Sequence, residues 1–336
     1  MAALRSGRSS LAVVAAALAV VYVVWGSTYL AIAVAIRSLP PFTMLAFRFL
    51  LAGGILYAWS VRRAGRPTAA QWRAAAIAGG ALLFVNTGMV AWAEGRLPTG
   101  LTALLAASVP LWIALLDRVV WKRPLTRGAG AGVALGTLGV ALLVLPGGGS
   151  GTIDLVAAAA VVLSAIAWAA GTLFAREAPR PGHDGLTAGM QMLAAGAMLA
   201  VAGGATGEFG RIHPHAISLG SLGALAYLVV FGSLVTYTAY GWLVRTVPTS
   251  IVSTHAYVNP AVAVALGALV LGEPATLATL LAGLVIVLSV AFMLVSPAES
   301  EEAPVLAETV PAYVRGKTQR ASFPAPALAD FSRVAA

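Results

Sequence analysis

Residues 92–110 read "WAEGRLPTGLTALLAASVP" and residues 242–260 read "WLVRTVPTSIVSTHAYVNP". Trp92 and Trp242, Pro98 and Pro248, Thr99 and Thr249, and Pro110 and Pro260 each stand 150 positions apart. The interval holds further on, where Pro124 falls on Pro274 and Thr126 on Thr276. Earlier in the chain it is 143, matching Trp25 to Trp168, Gly53 to Gly196 and Arg48 to Gln191. A framework of scarce residue types written twice implies two structural repeats, with a seven-residue difference between their second and third helices.

The surrounding composition says what those repeats are made of. Of 336 residues, 60% are hydrophobic and 10% charged, and the mean hydropathy is +0.89. A soluble domain carries about 25% charged residues. Apolar runs near the roughly 20 residues needed to cross a bilayer recur between short polar or Gly/Pro-rich breaks. The reading is an all-α membrane protein of ten transmembrane helices. They are expected at about 11–34, 41–61, 72–93, 98–117 and 127–145, then 153–175, 186–206, 218–243, 248–271 and 275–296. The run from Leu11 has no small-residue cleavage site and reads as a retained span rather than a signal peptide. The organisation is a cytoplasmic N-terminus (1–10), a first five-helix repeat (11–147), a second (148–296) and a charged, Pro-rich tail (297–336) expected to be disordered and cytoplasmic.

The net charge of +9 belongs to membrane orientation rather than to a nucleic-acid partner. With both termini cytoplasmic, 17 Lys and Arg residues lie in inner segments and only Arg37, Arg96 and Arg211 in outer loops, with Arg48 inside a span. That asymmetry follows the positive-inside rule and places the chain in a cytoplasmic (inner) membrane. Because each repeat has an odd number of helices, the second enters from the opposite face, so the repeats are inverted. Inverted repeats build two nearly equivalent conformations around a midplane site, the basis of alternating access.

Four segments carry a family resemblance: "WGSTYLAI" (25–32), "PPFTMLAFRFLLAGG" (40–54), "LPTGLTALLAASVPLWIALL" (97–116) and "YVNPAVAVALGALVLGEPAT" (257–276). They resemble the signature segments of EamA-type transporters of the drug/metabolite transporter superfamily, over roughly residues 11–296. The resemblance implies ten helices in two inverted repeats. It also implies a central cavity lined chiefly by the first, third, fourth, sixth, eighth and ninth spans, and export of small metabolites or drugs. It says much less about cargo.

Several residues could carry chemistry. Arg48, about seven positions inside the second span, would cost on the order of 3 kcal/mol near the bilayer centre and must find the interior, a partner or water. It either snorkels or ties helices together, or it attracts an anionic substrate group. Glu94 either pairs with Arg96 at the surface or serves as an outer gate or proton-linked group, with Arg48 as a further partner. His255 and Asn259 share one face of the ninth span, with Tyr257 and Pro260 nearby. These residues, like Asn86, Tyr237 and Tyr240, either hydrogen-bond between helices or line the cavity. Trp25, Thr28, Tyr29, Trp112 and Trp168 offer aromatic or hydroxyl walls, while Trp92 belongs to an interfacial belt. Pro110 and Pro260 lie inside spans, where they kink helices and could act in gating. Gly132, Gly136 and Gly139 favour close helix packing.

Other classes fit less well. A channel is the alternative to a carrier, and an intramembrane enzyme is much weaker: Gly26-Ser27 and a distant His255 form no nucleophile motif. No metal-ligand spacing, no P-loop and no cysteine occur, so no cofactor or metal is expected. The partners expected are a small-molecule substrate and the lipid bilayer, with proton coupling a candidate energy source.

Overall fold

The computed structural model describes residues 3–120, 122, 127–144, 153–247 and 254–295. Pro124, Thr126, Pro248, Thr249, the Tyr257 side chain and the 297–336 tail lie outside the described residues. Among those described, the regular structure is helical throughout. The helices are α1 (Ala3–Ala35), α2 (Pro41–Ala64), α3 (Ala69–Glu94), α4 (Thr99–Val120), α5 (Arg127–Val144) and α6 (Leu155–Glu177). They continue with α7 (Asp184–Ala205), α8 (Leu219–Leu243), α9 (His255–Leu271) and α10 (Leu277–Val295). Seven of them are long and apolar enough to cross a membrane, whereas the apolar stretches of α5, α9 and α10 (Gly130–Leu142, Val258–Leu271 and Leu277–Ser289) are shorter.

Local chemistry explains several helix starts. Thr68 and Gln71 form a reciprocal capping box at α3, and Asp154 Oδ1 accepts from the N–H groups of Val156 and Ala157 at α6, both at 3.0 Å. Each satisfies backbone donors that a helix start leaves bare. α2 and α4 begin at proline, which supplies no side-chain cap. Both are capped from the other half of the chain instead. Glu208 Oε2 accepts from the Thr43 N–H at 2.8 Å and the Thr43 hydroxyl at 2.9 Å. Glu273 Oε1 accepts from the Thr99 N–H at 2.8 Å and its Oε2 from the Gly100 N–H at 3.3 Å. Gly272, with φ +67°, ends α9 and turns the chain so that Glu273 can reach back; a side chain is strained in that left-handed conformation.

Three spans are interrupted. α3 passes through a π-helical stretch, Gly80–Val85, and α8 through another, Leu228–Val235, whose final residues stand 150 positions apart. α4 breaks at Ala107–Ser108, ahead of Pro110. α9 instead keeps its buried Pro260 inside the helix. The kinks expected at the two prolines thus take different forms.

The main helix pairings fall into an orderly set. α2 packs on α7, α4 on α9, and α5 on α10. α1 packs on α8 and α9 as α6 packs on α3 and α4, and α2 packs on α8 as α7 packs on α3. Exchanging α1–α5 with α6–α10 maps α2–α7, α4–α9 and α5–α10 onto themselves and turns each of the other pairings into another in the set. Small residues let the self-paired helices close up: a Cβ at Gly189 would come within 2.7 Å of the Tyr57 backbone N, and one at Gly139 within 3.2 Å of the Ile286 N. Gly136 likewise meets Ser289 of α10, and Gly132 is buried, so the packing role expected of that glycine row is observed. The exchange fails in two respects: α10 packs on α4 with no comparable packing of α5 on α9 among the described residues. α1 also packs on α3 and α4, but α6 makes no comparable packing on α8 and α9 among the described residues.

Candidate functional site

Between α1, α2, α8 and α9 the structure gathers most of the residues singled out from sequence. Trp25 of α1 is ringed by Tyr237 at 5.7 Å, Tyr240 at 5.0 Å and His255 at 5.3 Å between ring centroids. Tyr240 and His255 also meet edge to face at 5.8 Å. Edge-on and tilted contacts of this kind stabilise aromatic pairs beyond their buried area. These rings are only half-buried. Thr28 turns its hydroxyl to the Trp25 carbonyl at 2.6 Å. One turn earlier on α1, Tyr22 hydrogen-bonds Thr254 through their hydroxyls. With its amide oriented to satisfy both groups, Asn259 donates to the carbonyls of Tyr22 and His255, each at 3.1 Å. Asn259 and Tyr22 therefore tie α1 to α9.

Arg48 is 5% exposed and does not snorkel to a membrane surface. Its Nε donates to Ser233 Oγ at 3.0 Å, in the π-helical stretch of α8. Gly232 makes room for the guanidinium, since a Cβ there would lie 3.1 Å from Nη2. Ser233 and Gly232 gave no signal in sequence, because a serine or glycine in an apolar helix is ordinary.

A second polar group forms where α3 turns into α4. Glu94 is 7% exposed, and its Oε2 accepts from the Thr99 hydroxyl at 3.1 Å. Its Oε1 is buried without a hydrogen-bond partner among the described residues. The surface pair of Glu94 with Arg96 does not form: Arg96 donates to the Trp92 carbonyl at 2.8 Å and lies over the Trp92 ring at 3.9 Å. Nor does Arg48 make an ion pair with Glu94 among the described residues. Tyr29 packs on the neighbouring cluster of Ala93, Leu97 and Leu101. Every residue from Thr99 to Ser108 is buried, so the first part of α4 is a plug closed on all sides. A small cavity of about 20 Å³, lined by Gly100, Val264 and Glu273 among others, flanks it.

The remaining candidates stand apart. Asn86 Nδ2 donates to the Ser164 carbonyl at 3.0 Å and hydroxyl at 3.3 Å, joining α3 to α6. Trp112 Nε1 donates to Ser108 Oγ at 3.2 Å within α4. Trp168, the repeat mate of Trp25, is half-buried and has no ring partner among the described residues. No group of three or more metal-ligating side chains occurs among the described residues.

The EamA-like transporter family matches residues 10–145 and 155–295, one match for each half of this fold. The chain belongs to that family. It is 35% identical over 297 residues to YedA of Escherichia coli (strain K12), named as an uncharacterized inner membrane transporter, with 86% of this chain and 94% of YedA covered. It is 28% identical over 254 residues to the protein PecM of Dickeya dadantii (strain 3937), covering 74% of this chain and 82% of PecM. A solved crystal structure shares the fold at a TM-score of 0.56 and 19% identity, covering 83% of this chain and 95% of that one. As an EamA-like protein, the chain is a membrane transporter whose relatives include an inner-membrane protein.

Proposed function

We propose that this EamA-like protein is a secondary carrier that moves a small metabolite, amino-acid-like compound or drug outward across the cytoplasmic membrane by alternating access. Ten membrane-crossing helices in two inverted repeats, with both termini cytoplasmic, are the architecture this reading requires. The observation that carries it is the set of helix pairings that map onto one another when the two halves are exchanged. Five helices per half orient the halves oppositely, so the exchange axis lies in the membrane plane. Such a molecule has two related conformations in which opposite faces are closed.

The packing of α1 supports an outer gate at the α3–α4 turn. α1 closes on α3 and α4 around the α3–α4 turn. Under the Lys/Arg bias, this closed end faces outward. Glu94, beside Thr99 and near the capping carboxylate Glu273, is placed to couple a proton to opening of this outer end. Pro110 and the α4 break, with Pro260 in α9, are the flexible points of the two gating helices.

The test is efflux from proteoliposomes loaded with a panel of metabolites, with and without a pH gradient. Saturable flux with counterflow is expected of a carrier. Ion-like conductance would replace this reading with a channel.

A further inference from the structure

Arg48 lies against Ser233 and Gly232 of α8 beside Thr28 of α1, and α1, α2 and α8 contain no aspartate or glutamate; Glu94 of α3, a helix that also packs on α2, makes no ion pair with Arg48 among the described residues. The Arg48 Nε is taken by Ser233 and its guanidinium carbon lies 4.9 Å from the Phe49 ring centroid, but neither Nη has a hydrogen-bond partner among the described residues. A buried guanidinium is normally neutralised or fully hydrogen-bonded. Nη2 lies against Gly232 of α8 beside Thr28 of α1: a Cβ at Gly232 would lie 3.1 Å from Nη2 and 3.2 Å from Thr28 Cγ2. Tyr237, four residues beyond Ser233 on α8, packs on the apolar cluster that includes Leu45 and Phe49 of α2, and its hydroxyl makes no hydrogen bond among the described residues. Next to it lies the half-buried ring cluster of Trp25, Tyr240 and His255. An acidic side chain does reach α8, that of Asp184 at Gly241, but eight residues or about 12 Å along the helix from Ser233.

We propose that Arg48 and Tyr237 form the anion subsite of the transport site, and that the cargo is a small organic carboxylate of net charge −1 with an apolar or aromatic body. This rests on the carrier reading above and narrows its substrate class. The planar guanidinium fork presents two N–H donors to a carboxylate, and the Tyr237 hydroxyl adds a third. The aromatic rings supply the apolar wall that buries the body of the ligand. A zwitterion fits less well, because α1, α2 and α8, whose residues lie at the guanidinium, carry no carboxylate to meet an ammonium group. Inorganic phosphate or a lipid phosphate would satisfy Arg48 but leave the rings uncovered.

The experiment uses the full-length protein in detergent, with phenylacetate as the anionic probe, phenylacetamide as its neutral isostere and inorganic phosphate as the bodiless anion. Saturable phenylacetate binding is expected in the wild type, at least tenfold weaker in Arg48→Gln and in Gly232→Ala. Arg48→Lys should recover part of it, and Tyr237→Phe should weaken it less. Each variant is first shown to be monodisperse; Gly232→Ala keeps the charge, so it guards against simple loss of a fold-supporting arginine. Equal binding of phenylacetate and phenylacetamide, phosphate binding as well as phenylacetate, or unchanged phenylacetate binding in Arg48→Gln would overturn the assignment, as would no phenylacetate binding at all. Counterflow of neutral or cationic compounds alone would sink the anion subsite while sparing the carrier. Conductance without counterflow would sink the carrier reading itself.

Discussion

α1 and α6 hold equivalent places in the two halves, and Trp25 and Trp168 mark the same point on each. Their surroundings are opposite. α6 buries a row of small side chains, Ala157, Ala158, Val161, Ala165 and Ala169, all at 1% exposure or less, against α3 and α4. α1 carries Tyr22, Trp25 and Thr28 on α8 and α9, where rings and hydroxyls stay half-buried. Duplication supplied a shared frame, and the difference shows what was then varied on it: one copy became a dry, close-packed wall and the other a polar, aromatic one. A carrier needs two related conformations, but it needs only one binding site.

The shared frame can be broken at the α2–α7 crossing. Gly189→Val pushes a side chain into the Tyr57 backbone, which cannot give way. The cost is about 3 kcal/mol or more, read as loss of most monodisperse protein on extraction. Accessibility sharpens the comparison between α6 and the closed start of α4. The chain has no cysteine, so single thiols report directly. Thr172→Cys on α6 should react with a polar maleimide on the order of tenfold faster than Leu101→Cys in the buried start of α4. Similar rates would remove the asymmetry. Glu273→Gln weakens the cap that one half places on α4, at a cost of about 1–2 kcal/mol, and should speed labelling of Leu101→Cys by exposing the outer end. Trp25→Ala should raise the KM for transport, while Trp168→Ala leaves KM unchanged. The smallest change expected is in Glu94→Gln: flux near its wild-type maximum, but without its dependence on external pH. Wild-type pH behaviour there would take the proton away from Glu94.

Much of this was legible in the sequence because lipid-facing helices are written in bulk composition. Apolar runs, proline starts and the 143- and 150-residue intervals locate the helices and the repeat, as at Thr99 and Trp168. Arg48 was legible because charge in such a run is costly wherever it points. What the pattern did not reveal depends on contacts across long sequence separations. Glu208 and Glu273 look like loop carboxylates, yet they cap helices in the other half. Ser233 and Ser164 accept from Arg48 and Asn86 with no local signature. Glu94 looked like half of a surface pair with Arg96, but the turn sends the two side chains apart, one into the protein and one onto Trp92.

The π-helical stretches of α3 and α8 set the rotational phase of the α-helical segments beyond them. A π turn holds an extra residue, and one residue advances an α-helix by about 100°. Asn86 begins the helix after the first stretch and Thr236 the helix after the second, and the Thr236 hydroxyl bonds the Phe231 carbonyl at 2.7 Å. Deleting one residue from either stretch would swing Asn86 away from Ser164, or Tyr237 and Tyr240 away from Trp25, with the apolar character of each helix almost unaltered. The direction in which the polar lining points is thus owed to two local irregularities that no count of apolar residues records.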